Sequence, residues 1–148
     1  MKISARGRYA LAATISMAEQ DTHGEPITVI SIAERLGISK IYLEQVFALL
    51  KRGGIVNSIK GSQGGYQLAR MPQQITVLDI LSAIELSLFE PAESTVEKKA
   101  PEIEAAMRLA ALEKLDIAVK DTLGQITLFD LVAEAERHKA DDELMFYI

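Results

Sequence analysis

Along most of this chain apolar residues recur every three or four positions, the period of an amphipathic helix. Leu11, Ile15 and Ala18 set that spacing for a first helix, inside an apolar stretch from Tyr9 to Ala18 that Thr14 and Ser16 interrupt. Three later segments share one local design: Ile27-Thr28-Val29-Ile30-Ser31-Ile32, Ile75-Thr76-Val77-Leu78-Asp79-Ile80 and Ile126-Thr127-Leu128-Phe129-Asp130-Leu131. Each puts Thr at an N-cap, with the apolar residue before it able to staple to the one four positions after it. Asp79 and Asp130 add a negative charge in the first turn, which the helix dipole favours. Helices are therefore predicted to start at about residues 29, 77 and 128.

Ile30 to Leu36 reads as a short helix stopped by Gly37, and Ser39 caps the next. In that second helix Leu43, Val46, Phe47 and Leu50 keep the i, i+3, i+4, i+7 spacing of a buried stripe. Lys51 and Arg52 supply favourable charge to its last turn before Gly53 and Gly54 end it. Helix, tight glycine turn, helix is the grammar of a helix-turn-helix. Its second helix offers Lys40, Tyr42, Glu44, Gln45 and Ala48 on the outer side. Gln can bridge adenine, Glu can accept from cytosine, Lys can reach guanine or phosphate, and Tyr can contact backbone or a thymine methyl.

Ile55 to Lys60 then reads as a strand and Tyr66 to Ala69 as its return, around the loop Gly61-Ser62-Gln63-Gly64-Gly65. Glycines at such a tip allow positive φ and close approach of backbone N–H groups to another surface. No Gly-Lys-Ser/Thr follows, and a strand rather than a helix comes next, so the loop is not a nucleotide-phosphate loop. It fits the wing of a winged helix-turn-helix, with Lys60 placed to enter a minor groove while Ser39 to Gln45 occupy the major groove. Farther on, Pro101 opens a helix running from Glu102 to about Leu123. Leu109, Leu112, Leu115, Val119 and Leu123 form one apolar stripe, and Ile103, Met107, Ala110 and Ile117 extend it onto a second flank. That is wider than one neighbour requires, and the spare flank suggests a partner subunit.

Composition changes this picture at two points. The 148 residues include no cysteine, which excludes disulfides, thiolate metal sites and a thiol nucleophile. The net charge of −5 argues against nucleic acid until the chain is divided after Pro72. Residues 1–72 then carry +4 and residues 73–148 carry −9, as expected of two faces with different partners. Lys2, Arg6 and Arg8 ahead of the first apolar stretch loosely imitate a secretory signal. The stretch is amphipathic and far short of the ~18 apolar residues of a membrane span, so a retained helix in the cytoplasm is expected. Paired carboxylates, an activated nucleophile and a metal cluster do not stand out, and no enzyme activity or cofactor is expected.

The motifs Lys2-Ile3-Ser4, Gly7-Arg8-Tyr9-Ala10, Tyr42-Leu43-Glu44-Gln45, Gly54-Ile55-Val56, Gly61, Gly64-Gly65-Tyr66, Ile75-Thr76 and Asp79-Ile80 resemble the Rrf2 (Rrf-two) family of bacterial transcriptional regulators. The resemblance covers about the first 86 residues. It implies a mainly helical fold with a small β-hairpin wing, a winged helix-turn-helix followed by a long dimerisation helix. Two subunits would then bind a palindromic operator in double-stranded DNA. The implied division is a DNA-binding unit at 1–86, a loop at 87–101, and a dimerisation helix, C-terminal helix and apolar tail at 102–148. Carried over residue by residue, Ser39, Lys40, Tyr42, Glu44 and Gln45 contact DNA from the recognition helix. Lys60, Gly61, Ser62 and Gln63 do so from the wing, and Lys2, Ser4, Arg6 and Arg8 are expected at phosphates. Ile41 stands at a position that is often polar in relatives. Leu109, Leu112, Leu115 and Val119 carry dimerisation.

Relatives that sense iron–sulfur status or nitric oxide carry three cysteines in the loop that here spans Phe89 to Ala100, which has none. His23 and His138 lie elsewhere and do not replace them. The chain instead finishes on Leu144-Met145-Phe146-Tyr147-Ile148, large apolar and aromatic residues that are costly to hydrate. Such a tail either docks on its own dimer or serves as a recognition tail, its carboxylate held by backbone donors. Tail and loop together resemble the members of the family that govern cysteine metabolism and act with cysteine synthase (O-acetylserine thiol-lyase). Met145, Phe146, Tyr147 and Ile148 would then contact that enzyme, and O-acetylserine would break the complex. Two alternatives stay open: a small molecule sensed directly between the domains, or a winged-helix interaction module that does not bind DNA.

Overall fold

Each helix that builds the N-terminal part is started by a side chain. The structure, a computed structural model, describes residues 2–20, 24–61 and 64–146, with side chains as far as Met145. Ser4 Oγ accepts from the Gly7 N–H at 3.0 Å and opens α1 (Ala5–Glu19). Thr28 accepts from Ser31 at 3.2 Å ahead of α2 (Val29–Leu36), and Ser39 from Tyr42 at 3.1 Å ahead of α3 (Lys40–Arg52). Thr76 and Asp79 exchange two hydrogen bonds of 3.0 Å, a capping box that opens α4 (Val77–Ile84). Thr127 and Asp130 repeat the exchange at 2.9 and 3.1 Å where the last helix begins at Leu128. All three threonine-led starts fall where the sequence predicts them.

Between α3 and α4 the chain forms a hairpin. Strands β1 (Val56–Ile59) and β2 (Gly65–Leu68) pair antiparallel, with Val56 opposite Leu68 and Ile59 opposite Gly65. Ile27 and Tyr66 exchange backbone hydrogen bonds of 2.8 and 2.9 Å, which ties the hairpin to the start of α2. Gly65 is needed for that approach, because a Cβ there would lie 2.4 Å from the Ile27 carbonyl oxygen.

One core serves all of these elements. Ala10, Ala13 and Met17 of α1 meet Ile32 of α2, Leu43, Val46, Phe47 and Leu50 of α3, Ile55 and Val56 of the hairpin, and Ile80 and Ile84 of α4. Both members of the expected staples Ile27–Ile32 and Ile75–Ile80 are buried in it. The face of α1 differs from the expected one. Leu11, Ile15 and Ala18 are half-buried against the core, while Ala10, Ala13, Thr14 and Met17 are buried outright. Helix α1 packs on α3, α4 and the last helix together, so its smallest residues take the closest approach. Thr14 satisfies its buried hydroxyl by donating to the Ala10 carbonyl at 2.9 Å.

Beyond α4 the character changes. The 86–100 stretch carries no regular element, and α5 (Pro101–Met107) then runs into α6 (Glu113–Gln125) through a wider π-type turn at Arg108–Leu112. The sequence predicts one uninterrupted α-helix here; the π turn is the departure, and it rotates the face of α6 relative to that of α5. Helix α7 (Leu128–Phe146) carries the charged segment and the apolar residues Leu144 and Met145 in one helix, where the sequence suggests a separate tail. Within α7, Glu134 accepts from Arg137 and contacts the His138 ring at 3.0 Å, and both hold its carboxyl below the usual carboxylate range. Among the described residues of these later helices, Leu128 alone is buried in the core. It is anchored by N–H···O bonds from Val77 to Ile126 at 2.9 Å and from Leu128 to Ile75 at 2.8 Å, around a bridge between Thr76 and Thr127.

Candidate nucleic-acid interface

Helix α3 has two faces of opposite fate. Leu43, Val46, Phe47 and Leu50 are completely buried, and the outward positions Lys40, Ile41, Glu44, Gln45 and Ala48 are exposed. Gly37 ends α2 in the left-handed conformation (φ 68°), and Ser39 begins α3 two residues later, which sets the short turn between the helices. The Ser39 hydroxyl accepts from the Tyr42 N–H and keeps its own proton free to donate. Lys40 and Glu44 form an exposed i, i+4 pair at 3.6 Å. Such a pair is worth only about 0.3–0.5 kcal/mol, so either partner can be drawn away by a stronger one. Tyr42 is the exception to the expected outer set. It is half-buried, with its ring edge-on to Tyr9 at 5.3 Å and 84°, so α1 supports this end of α3.

The hairpin lies against the same helix. The ring of Tyr66 in β2 lies tilted against Phe47 of α3 at 4.7 Å, which fixes the hairpin to that helix. Lys60 and Gly61 are exposed at the end of β1. Ser62 and Gln63 lie outside the described residues. The cations divide clearly: Arg35 pairs with Glu19 at 3.1 Å and Arg70 with Asp79 at 3.4 Å, as structural contacts. Lys2, Arg6, Arg8, Lys51, Arg52 and Lys60 are exposed and make no ion pair among the described residues.

Ser4 has a different position from those cations. Its hydroxyl donates to Glu85 Oε1 and its backbone N–H donates to the same oxygen at 2.8 Å, while the hydroxyl oxygen caps α1. With its one proton committed to a carboxylate, this hydroxyl has none to give a phosphate. Gly7 permits the contact, since a Cβ there would meet Glu85 Oε1 at 2.6 Å. Glu85 is the residue that sequence reading misses. It stands 81 positions from Ser4, and no local pattern joins them.

The long helix presents its apolar side to solvent. No residue of α5, the π turn or α6 is buried; Leu109, Leu112 and Leu115 are about half exposed or more, with Ile103 and Ile117, and Val119 is half-buried. Between this helix and the 88–95 stretch lies a cleft of about 610 Å³, lined by Leu88, Phe89, Thr95, Met107, Leu112, Val119 and several charged side chains. Glu104 holds its rim by accepting from the Thr95 and Val96 N–H groups at 2.9 and 3.1 Å, and Lys120 lies 5.2 Å above the Phe89 ring. In the predicted tail Leu144 and Met145 are exposed. Tyr147, Ile148 and the Phe146 side chain lie outside the described residues, as does His23.

Residues 3–134 match the Rrf2 family, described as an iron-dependent transcriptional regulator. The chain belongs to the Rrf2 family. It is 36% identical to the HTH-type transcriptional regulator CymR of Bacillus subtilis (strain 168) over the full length of both chains. The solved structure of CymR, the global cysteine regulator of B. subtilis, superposes with a TM-score of 0.70 over 90% of this chain and 98% of that one, at 35% identity. The solved structure of T. potens IscR superposes with the same TM-score of 0.70 over 93% and 90% of the two chains, at 37% identity. The winged-helix fold and a role as a transcriptional regulator rather than an enzyme follow from these matches. The iron in the family's description meets an unsuitable donor set in this member. The sequence offers no thiolate, and no group of three or more His, Asp or Glu that could hold a metal occurs among the described residues. Phe89 to Ala100 supplies only scattered carboxylates, a poor donor set for an iron–sulfur cluster.

Proposed function

We propose that this Rrf2 protein is a dimeric repressor that reads a palindromic operator through α3 and the wing. The observation that carries the reading is the outward face of α3, where Ser39, Lys40, Glu44 and Gln45 are exposed directly behind a fully buried stripe. That arrangement fixes the helix to the body and leaves base-reading side chains free. Tyr42 supports the helix and borders the groove. Lys60 and Gly61, with Ser62 and Gln63 beyond them in sequence, belong to a minor-groove or backbone contact. Lys2, Arg6 and Arg8 belong to phosphates. Ser4 acts at one remove, by fixing the end of α1 on Glu85.

The exposed stripe Leu109, Leu112, Leu115 and Val119 supports dimerisation, with 1–86 as the DNA-binding unit and 102–148 as the assembly and signalling unit. Two α3 helices about 34–36 Å apart would enter successive major grooves. Salt titration of binding to an inverted-repeat duplex tests the reading. Phosphate neutralisation predicts a log–log slope of about −0.9 per contact. No binding to any duplex at low salt, with partner proteins present, would identify a protein-interaction module instead.

The genes served are those of cysteine or sulfur metabolism, and the site of action is the cytoplasm. Similarity to CymR along the whole chain and the exposed Leu144 and Met145 support this. Among the described residues no helix is long and apolar enough to cross a membrane. The signal would arrive through cysteine synthase docking on residues 145–148, released by O-acetylserine. Deletion of those four residues should abolish association with that enzyme in a calorimetric titration; undiminished affinity overturns the tail as the contact. The cleft beside Phe89 favours a second reading, in which a small molecule binds the chain directly. Under that reading the deletion leaves effector response intact.

A further inference from the structure

The outward face of α3 mixes polar groups with one bare hydrocarbon. Ile41 is 73% exposed, and among the described residues only Met145, at 74%, is a barer large hydrophobic side chain. It is not a margin of the core. Ile38, Tyr42 and Leu49 pack against the buried cluster from the same region, and Ile41 does not. On the helix wheel it shares a row with Glu44, Gln45 and Ala48, all exposed, opposite Leu43, Val46, Phe47 and Leu50.

Nothing in the fold rewards this residue. A β-branched side chain is a mediocre helix former, and hydrating it forfeits the benefit of burial. It occupies the first turn of the recognition helix, the part that approaches base edges in a helix-turn-helix. Across the major groove, base pairs present donors and acceptors, and a single apolar group: the C5-methyl of thymine. Resting on the DNA-binding reading above, we propose that Ile41 packs against a thymine methyl in each half-site. It thereby fixes a T·A pair beside the base met by Gln45, and a chain with a polar residue at this position would read a different base there.

The test starts by enriching duplexes from a randomised pool with the full-length protein. In the enriched inverted repeat, each thymine is replaced symmetrically by deoxyuridine, which lacks only the methyl group. Binding should weaken at one symmetric pair of thymines, by about fourfold per half-site, the worth of about one buried methyl group. Ile41→Ala should bind the thymine and deoxyuridine duplexes equally at that pair while keeping its response to base changes elsewhere. Wild-type protein that binds every deoxyuridine duplex as well as the parent overturns the proposal. So does an Ile41→Ala protein that still prefers thymine at that pair. A pool that yields no enriched duplex overturns the DNA-binding reading itself, and this inference with it.

Discussion

Residues 5–84 and residues 101–125 are both rich in aliphatic side chains, yet the chain treats them oppositely. In the first stretch Ile32, Leu43, Phe47, Leu50, Ile75 and Ile80 lose all contact with solvent. In the second none is buried, and Leu109, Leu115 and Ile117 are each more than half exposed. The first stretch is covered within the chain, with Leu128 of α7 completing its core, so its stability belongs to the single chain. The second has an apolar face with no counterpart among the described residues, and under the dimer proposed above its stability would depend on assembly and on protein concentration.

The sharpest contrast comes from cutting into each face. Phe47→Ala should cost about 3–5 kcal/mol in denaturant unfolding, at any protein concentration. A loss that shrinks as concentration rises would mean that the core also depends on assembly. Leu115→Glu should leave the helical content intact and convert a dimer to a monomer in sedimentation. Affinity for a duplex with two half-sites should then fall about a hundredfold, because the second contact is no longer tethered to the first. A Leu115→Glu protein that stays dimeric would move the interface off α6.

Smaller changes test the join between the regions. Thr127→Ala removes the cap of α7 and should cost about 1 kcal/mol. The bridge to Thr76 lies within one chain, so the thermal shift should be the same at low and high concentration. A shift confined to dilute protein would assign the start of α7 to the assembly. The smallest effect belongs to Glu134 on α7. Its carboxyl is held low, by Arg137 first and His138 second, so its contribution is present above the usual carboxylate range and is lost as acid protonates it. Helicity of the wild type should fall slightly more than that of Glu134→Gln between about pH 5 and about pH 3. Identical acid titrations would remove any role for the pair.

What could be read in advance follows the same division. Thr28, Thr76 and Thr127 are legible because a cap, its acceptor and its staple lie within a few residues. Helix α3 is legible because its buried stripe and its outward row are both periodic. Distance along the chain hides the rest. Tyr42 reads as an outer residue until Tyr9, from another helix, lies against it. Ser4 reads as an exposed polar residue near phosphates, and its hydrogen bonds to Glu85, 81 positions away, are invisible to any local pattern. The closest approach in α1 goes to Ala10 and Ala13 rather than to Leu11 and Ile15, because α2, α3, α4 and α7 all converge on it. The π turn at Arg108–Leu112 has no sequence mark that periodicity detects.

The bridge between Thr76 and Thr127 gives α4 and α7 a common anchor. Helix α4 ends at the carboxylate that accepts from Ser4, and α7 packs on α1. That shared anchor joins the start of α7 to the start of α4. Through Glu85 it reaches the first turn of α1, where Arg6 and Arg8 stand.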